Sequence, residues 1–390
     1  MKTVSTNRLY YIDWLRVLAF GLLFVFHSFR FFDDFPWHLK NDHHHNIFNS
    51  IVLFTHTWRM PLIFIISGIG TYFALSSRAK NFVIDRVKRL VIPYFFGIII
   101  LIPPQKFLES VSQYGFQGNF IEFIIAYPTY IMESSTGLNL VFTGHFGYHI
   151  WYLAFLFIQT LIFLPVFYII NRNKQKIARI ISICERPPGM LLVGLVIIIL
   201  DIVLRPSSPD YLGWADFAVY SVYFVLGFLF QAHGNIKLIL KQNTWFFLCL
   251  AVISSISIQY ILTTNENTVQ ILLKPSYTVD YVLIGALMRI NGFAWVLAVL
   301  GLGARFLDFK YRLLNDFNQG ILPFYILHQT VIIMIGYNII QWDNSIFAKL
   351  LLILSLSFMT TILAYQGIIK LNVLRFLFGM KKKQSTNSIK

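Results

Sequence analysis

The chain is short of charged residues and of cysteine. Asp, Glu, Lys and Arg make up 13% of its 390 residues and hydrophobic residues make up 57%, whereas charged residues are about 25% of a typical soluble domain. This composition excludes a soluble globular protein. Only Cys184 and Cys249 are available for sulfur chemistry, so neither a disulfide framework nor a cysteine metal site is predicted.

Acidic residues are scarcer than basic ones. The chain has 17 Asp and Glu against 32 Lys and Arg, which gives a formal net charge of +15. In a soluble protein this excess would suggest a nucleic-acid partner. Here the basic residues fall mainly between long apolar runs, so we expect no nucleic-acid partner and interpret the excess as a signal of membrane topology.

Apolar runs long enough to cross a bilayer, at about 20 residues each with some shorter, recur along the chain. They predict an all-α polytopic membrane protein with about ten transmembrane helices, at residues 11–32, 47–75, 90–102, 150–170, 189–204, 214–230, 244–262, 277–302, 320–339 and 346–369. The third helix is short because Pro103 and Pro104 are expected to end it. Residues 107–133 are expected to lie at the outer surface or to dip back into a cavity.

The basic residues are distributed unevenly between the predicted loops. If the N-terminus is cytoplasmic, the outer loops hold only Arg30, Lys40, Lys106, Arg205 and Lys274, and the inner segments hold most of the others. This positive-inside bias predicts that both termini are cytoplasmic. Residues 1–380 are expected to form a single transmembrane domain, with residues 381–390 as a basic cytoplasmic tail near anionic lipid. The oligomeric state is left open.

The first predicted span carries three ionisable residues, Asp13, Arg16 and His27. At about 100° per residue they share one face of a helix. A charge in the middle of a membrane costs about 3 kcal/mol even on lenient scales, so this face should point to a protein-lined or watery interior. The stripe therefore predicts a functional site. The alternative is a structural ion pair of Asp13 with Arg16 near one membrane surface and a histidine near the other.

The second predicted span carries His56, Arg59 and Ser67 on a shared face. His56 and Ser67 are more often explained by structural hydrogen bonds within the membrane. Arg59 lies well inside the span and must find an anion or a carbonyl group there. Arg289 in the eighth span and His328 in the ninth are further buried ionisable residues and are second-tier site candidates, together with Ser67.

A run of histidines follows the first span, as Asp42-His43-His44-His45. Histidine and aspartate are common metal ligands, but the run lacks partner ligands at fixed helical spacing. A solvated outer loop is therefore the better interpretation, and no metal site is predicted.

Four short motifs occur in a characteristic order. They are the Arg16 and His27 pair with ten residues between them, the Arg86-x-x-Arg89-Leu90-x-x-Pro93 pattern, the His149-Ile150-Trp151 segment and the Tyr325-x-x-His328 segment. In this order and spacing they resemble the acyltransferase-3 family, which are multispanning bacterial O-acyltransferases. The Arg59-Met60 pair ahead of Ser67-Gly68 is similar to a branch of that family implicated in succinylating periplasmic glucans.

The resemblance implies a membrane enzyme that transfers a small acyl group, acetyl or succinyl, from cytoplasmic acyl-CoA to a hydroxyl of a periplasmic or cell-surface glycan. It implies the bacterial inner membrane as the location. No bound cofactor is expected, because acyl-CoA is the donor substrate. The alternative function is a multispanning transporter or flippase, in which buried charges line a substrate path without covalent chemistry.

The resemblance also suggests roles for the candidate residues. His27 is expected to be the catalytic base for the sugar hydroxyl, since an imidazole is neutral at physiological pH. A variant route acylates His27 first. Asp13 is expected to pair with Arg16 and to organise the donor channel.

Donor and acceptor contacts are expected at opposite ends of the site. Arg86 and Arg89 are candidates for the donor phosphates, although ordinary positive-inside anchoring explains them equally well. Arg59 is a candidate for the thioester carbonyl or for a carboxylate on the acyl group. His149 and Trp151 are expected at the outer face, either lining the acceptor site or forming an interfacial aromatic belt.

Overall fold

The computed structural model describes residues 8–133, 147–265 and 267–383. All regular secondary structure in these ranges is helical. Ten of the described helical segments are long and apolar enough to cross a membrane, which confirms the predicted fold class. Residues 381–383 are exposed, and the rest of the predicted basic tail, residues 384–390, lies outside the described residues.

The described residues form ten candidate spanning helices and four short helices. In order they are α1 (Tyr10–Phe29), α2 (Asn46–Arg78), α3 (Phe82–Tyr114), α4 (Phe120–Glu133), α5 (Trp151–Arg172), α6 (Lys174–Ile181), α7 (Pro187–Leu204), α8 (Trp214–His233), α9 (Ile236–Thr264), α10 (Thr268–Leu273), α11 (Val279–Phe306), α12 (Leu314–Ile339), α13 (Ile346–Ile368) and α14 (Asn372–Leu377). The short helices are α4, α6, α10 and α14.

Ten successive crossings bring both ends of the described chain to the same side of the bundle. We call this side the terminal face, and it carries the start of α1 and the end of α13. The opposite side is called the loop face. It carries the α1–α2 loop, residues 30–45, and the α7–α8 loop, residues 205–213.

The third spanning helix differs from its prediction. A stop at Pro103 and Pro104 is wrong, because α3 continues through both prolines to Tyr114. A proline lacks an amide hydrogen and its ring clashes with the carbonyl one turn earlier. The wide π-helical turn Gly97–Leu101 comes immediately before, so the prolines fall in the first turn of a new α-helical segment that starts at Ile102. There an amide hydrogen is not needed.

Helices α2 and α8 are in backbone contact through two glycines. A Cβ atom at Gly68 would lie 2.0 Å from the carbonyl oxygen of Phe224, and one at Gly227 would lie 2.0 Å from that of Ile65. Such small residues let membrane helices approach closely. The contact fixes the depth of α2 in the bundle, and with it the positions of Arg59 and Ser67.

The α1–α2 loop is folded onto the bundle. Its side chains Phe31, Phe32 and Leu39 are fully buried and pack in one cluster with residues of α12 and α13. The Arg30 guanidinium donates to the Asp33 carboxylate at 2.9 Å and to the carbonyl oxygen of Pro36 at 2.6 Å. These contacts hold the loop directly over the end of α1 that carries His27.

Candidate active site

Three imidazoles meet inside the bundle near the loop face. His27 comes from α1, His149 from the single helical turn before α5, and His328 from α12. The ring centre of His328 lies 5.1 Å from that of His27 and 5.2 Å from that of His149. We call these three residues the histidine cluster. The sequence predicted each as a separate candidate, and the structure brings them together.

Backbone carbonyl groups fix the tautomers of two of these histidines. His328 Nδ1 lies 2.5 Å from the carbonyl oxygen of Tyr325, and His149 Nε2 lies 2.9 Å from that of Ile326. A carbonyl oxygen only accepts, so each of these ring nitrogens carries a proton. In the neutral rings, Nε2 of His328 and Nδ1 of His149 are therefore lone-pair acceptors.

The other nitrogens of the cluster are buried and unsatisfied. Within the described part of the chain, His27 Nδ1, His149 Nδ1 and His328 Nε2 have no hydrogen-bond partner. Buried polar atoms are normally paired, and an orphaned one needs a reason. Three together indicate a site prepared for a ligand that supplies the missing hydrogen bonds.

Arg59 lies beside the cluster. Its side chain is 4% exposed, and its guanidinium carbon is 3.5 Å from the ring centre of Phe26, the neighbour of His27. Its Nε and Nη1 atoms find no hydrogen-bond partner among the described residues. A buried cation with no anion is strongly destabilising, so Arg59 needs an anionic or carbonyl partner that the described residues do not supply.

Trp37 of the α1–α2 loop covers the cluster from the loop face. Its half-buried indole stacks on His27, with ring centres 6.1 Å apart and planes inclined by 19°. The Gln113 amide donates to the carbonyl oxygens of Trp37, at 2.5 Å, and of His38, at 2.7 Å. His38 in turn stacks on Tyr148, with ring centres 4.5 Å apart. Trp37 is thereby held in place against His27.

Polar side chains continue from the cluster towards the terminal face. The Tyr325 hydroxyl donates to the carbonyl oxygen of His149 at 2.6 Å, and its ring contacts that of Tyr152 at 5.8 Å. The Tyr152 hydroxyl contacts the Ser67 hydroxyl. One turn further along α2, Thr71 accepts a hydrogen bond from Arg86 at 2.6 Å. We call these five residues, Tyr325, Tyr152, Ser67, Thr71 and Arg86, the polar column.

Asp13 and Arg16 lie on the terminal side of α1. The Asp13 carboxylate contacts Arg8 at 2.6 Å and Arg16 at 3.7 Å. The Arg16 guanidinium packs against α2, where a Cβ atom at Gly70 would lie 3.4 Å from its Nη2. Gly70 adjoins Thr71 of the polar column. Arg16 is thus beside the column, and Asp13 touches the two arginines rather than the histidines.

Arg86 and Arg89 differ in their environments. Arg86 is half-buried and bonded to Thr71, whereas Arg89 is exposed at the start of α3 on the terminal face. The sequence grouped them as one basic motif. The structure places one at the inner end of the polar column and the other at the surface.

The interfacial-belt alternative for His149 and Trp151 is wrong. Their side chains are 7% and 5% exposed, so both are buried inside the bundle, and their role in the acceptor site stays a prediction. His149 belongs to the histidine cluster. Trp151 stacks on Tyr220 with ring centres 5.6 Å apart and contacts Phe64. The turn before α5 carries both residues into the bundle, which the sequence position alone does not reveal.

Arg289 is part of a separate ionic network. Its Nε lies 2.8 Å from the Asp201 carboxylate, which also contacts Arg205 at 2.8 Å. Arg205 contacts Asp216 at 2.5 Å as well. This network ties together α7, α8 and α11. The pairing of Arg289 accounts for its burial without a role in the histidine cluster.

The histidine run of the α1–α2 loop is exposed, and His44 contacts the Asp34 carboxylate at 2.8 Å. A hydrogen bond from Asn49 lowers the pKa of Asp34. Across the described residues no group of three His, Cys, Asp or Glu side chains is close enough to hold a metal ion.

Sequence reasoning missed Trp37 and Tyr152 as site residues, and it marked Tyr325 only as part of the Tyr325-x-x-His328 motif, without a role of its own. Trp37 lies in a loop, where no helical face marks it. Tyr152 lies in a span rich in aromatic residues, where one more tyrosine carries little signal. Only the tertiary contacts with His27, Ser67 and His149 distinguish them.

These features define an integral membrane protein with ten candidate spanning helices in its described residues and a buried cluster of polar side chains among them. The comparison with known proteins is specific. The sequence profile of the acyltransferase-3 family, described as an acyltransferase domain, matches residues 9–368. The chain belongs to this family and is a membrane acyltransferase that transfers groups other than amino-acyl groups.

Similar proteins extend over the whole chain. Glucans biosynthesis protein C of Escherichia coli strain SMS-3-5 is 24% identical, covering 98% of this chain and 97% of the relative. The protein of the same name from Salmonella typhimurium strain LT2 is 23% identical, covering 100% of both. No solved structure matches the chain.

Proposed function

We propose that this acyltransferase moves an acetyl or succinyl group from cytoplasmic acyl-CoA to a hydroxyl of a periplasmic or cell-surface glycan. The observation that carries the proposal is the histidine cluster, whose three ring nitrogens, like Nε and Nη1 of the neighbouring Arg59, have no hydrogen-bond partner among the described residues. Base-capable imidazoles next to a cation suit the attack of a hydroxyl on a polarised thioester.

The donor approaches from the terminal face along the polar column. Thr71, bonded to Arg86, is twelve residues from Arg59 on α2, about 18 Å at 1.5 Å per residue. The extended arm of coenzyme A is of similar length. If the phosphates of coenzyme A bind at Arg86 and the exposed Arg89, the thioester reaches Arg59. The planar guanidinium groups of these two arginines match the geometry of phosphate.

The acceptor approaches from the loop face. His27 takes the proton of the hydroxyl as its oxygen attacks the thioester carbonyl, which Arg59 polarises. The new C–O bond forms and the C–S bond breaks. The proton then passes from His27 to the thiolate, so the products are an ester and free coenzyme A. In the variant route His27 is acylated first and the hydroxyl attacks the acyl-imidazole.

Arg59 is also the residue that distinguishes the two acyl groups. A succinyl group carries a carboxylate, which would pair with the buried guanidinium and relieve its unpaired charge. An acetyl group offers only its carbonyl oxygen. The unsatisfied Nε and Nη1 of Arg59, seen among the described residues, favour an acyl group with a terminal carboxylate.

Two further observations support a glycan as the acceptor and the bacterial inner membrane as the location. The relatives at 24% and 23% identity are named for glucan biosynthesis, and a glucan offers many equivalent hydroxyls. The basic residues are concentrated in segments on the terminal face, which favours that face in the cytoplasm. The protein then lies in the bacterial inner membrane with its histidine cluster near the periplasmic side.

The test uses purified protein in detergent with acetyl-CoA or succinyl-CoA and a neutral gluco-oligosaccharide. Release of coenzyme A that requires the acceptor, together with mass-spectrometric detection of the acylated sugar, supports the proposal. Release that is independent of acceptor, with no acylated sugar, contradicts the glycan as acceptor. Movement of sugar across proteoliposomes without coenzyme A would favour transport instead.

A further inference from the structure

The α7–α8 loop carries an exposed aromatic residue that the account above does not use. Tyr211 is 54% exposed on the loop face. Its ring centre is 6.0 Å from that of His56 and 6.4 Å from that of Trp151. A tyrosine of an interfacial belt would point towards lipid, whereas Tyr211 lies against His56 of α2 and the buried Trp151 of α5.

The backbone next to Tyr211 is strained. Leu212 has a φ of +64°, in the left-handed region that residues with a branched side chain rarely adopt. Strain of this kind persists only where the surrounding structure determines the conformation, and it is concentrated at functional sites. The position of Tyr211 is therefore imposed by its surroundings and is not a relaxed loop conformation.

The ionic network supplies the restraint. Asp216 accepts a hydrogen bond from the Leu212 amide at 2.8 Å with one oxygen and contacts Arg205 at 2.5 Å with the other. Burial alone would lower the pKa of Arg205, but the carboxylates of Asp216 and Asp201 raise it above its ordinary value. Arg205 therefore stays charged and the network remains closed. The network joins Asp201 of α7 to Asp216 of α8, so it restrains both ends of the loop.

Tyr211 is close to the proposed reaction site. His56 lies one helical turn from Arg59 on the same face of α2. Although half of the side chain is exposed, desolvation of the phenol by neighbouring protein atoms raises the pKa of Tyr211 to about 12, and the charges of Arg59 and Arg30 act in the opposite direction. The phenol thus lies within electrostatic range of both guanidinium groups. It stays neutral at physiological pH and can donate a hydrogen bond.

We propose that Tyr211 is an acceptor-binding residue, which stacks against a sugar ring and so presents the hydroxyl to His27. An exposed phenol with a fixed orientation offers an apolar face and a hydroxyl donor at low entropic cost. This inference rests on the proposed function and names the acceptor side of the same site. The network of Asp201, Arg205 and Asp216 serves to hold this residue in place.

The first test measures acceptor binding without turnover. Purified wild-type protein, Tyr211→Ala and Tyr211→Phe are titrated with a neutral gluco-oligosaccharide in the absence of donor. Tyr114→Ala, at an exposed tyrosine at the end of α3, is the matched control. We expect Tyr211→Ala to weaken binding about tenfold or more, Tyr211→Phe to weaken it about twofold to threefold, and the control to bind like the wild type.

The second test measures turnover. Tyr211→Ala should raise the KM for the acceptor about tenfold while the KM for acyl-CoA and the saturated kcat change less than about twofold. Asp216→Asn, which loosens the loop, should shift the acceptor KM in the same direction. Thermal unfolding of each variant verifies its fold.

The outcomes separate this inference from the proposed function. Equal binding of the oligosaccharide by the wild type and Tyr211→Ala overturns the role of Tyr211, whatever the enzyme then catalyses. Lack of binding by the wild type also overturns it. Normal binding that depends on Tyr211, without acceptor-dependent release of coenzyme A, supports this inference and contradicts the proposed reaction.

Discussion

The imidazoles of His27 and His328 lie 5.1 Å apart, centre to centre, although 301 positions separate them in the chain. The carbonyl oxygen of Tyr325 holds the proton of His328 on Nδ1. The Nε2 atom of His328 has no hydrogen-bond partner among the described residues. Trp37 also stacks on His27. From this arrangement we expect a division of roles between the two residues. His27 contacts the acceptor, and His328 orients His27 or shares its proton.

That division predicts different effects of two substitutions. His27→Gln should lower kcat by about 100-fold to 10,000-fold, the range for loss of a general base. His328→Gln should lower kcat by only about tenfold, since the base itself remains. Steady-state release of coenzyme A measures both. A larger loss in His328→Gln than in His27→Gln would make His328 the base.

Arg59 is predicted to set the acyl preference. Arg59→Gln should lower kcat/KM for succinyl-CoA at least about tenfold more than for acetyl-CoA, because a buried ionic partner is worth several kcal/mol. The ratio of the two donors, measured in the same preparation, removes effects of folding. If both donors lose activity equally, Arg59 acts on the thioester carbonyl and does not recognise a carboxylate.

Arg86 is predicted to act in donor binding. Arg86→Ala should raise the KM for acyl-CoA by about tenfold, with a smaller effect on saturated kcat, since it would contact phosphates far from the reacting bond. Lys88→Ala is the matched control, an exposed basic residue of the same turn. A loss confined to kcat, or an equal loss in the control, would remove Arg86 from the donor site.

The sequence predicted most of the membrane architecture and only part of the site. Apolar runs and basic loops are local signals, and they predict ten spanning helices well. The end of α3 was misplaced because a proline pair is ambiguous until the π turn before it is seen. The sequence marks the three histidines of the cluster as separate candidates. Their rings come within contact distance only through the packing of α1 and α12 and through the turn before α5.

Gly68 tests whether the α2–α8 contact fixes the site. Gly68→Ala would place a Cβ atom 2.0 Å from a backbone oxygen, so we expect destabilisation by about 2 kcal/mol or more. Gly21→Ala is the control, since a Cβ there meets no described atom within 4 Å, and it should be neutral or stabilising. Thermal unfolding monitored by size-exclusion chromatography compares them. Equal stability of the two variants would contradict the close contact.

The most direct test of the central claim is acceptor-dependent release of coenzyme A by wild-type protein, His27→Ala and His43→Ala. His43 is exposed in the α1–α2 loop and controls for general loss of a histidine. We predict release by the wild type and by His43→Ala, and release at background for His27→Ala with an intact fold. Equal release by all three proteins would contradict catalysis at the histidine cluster.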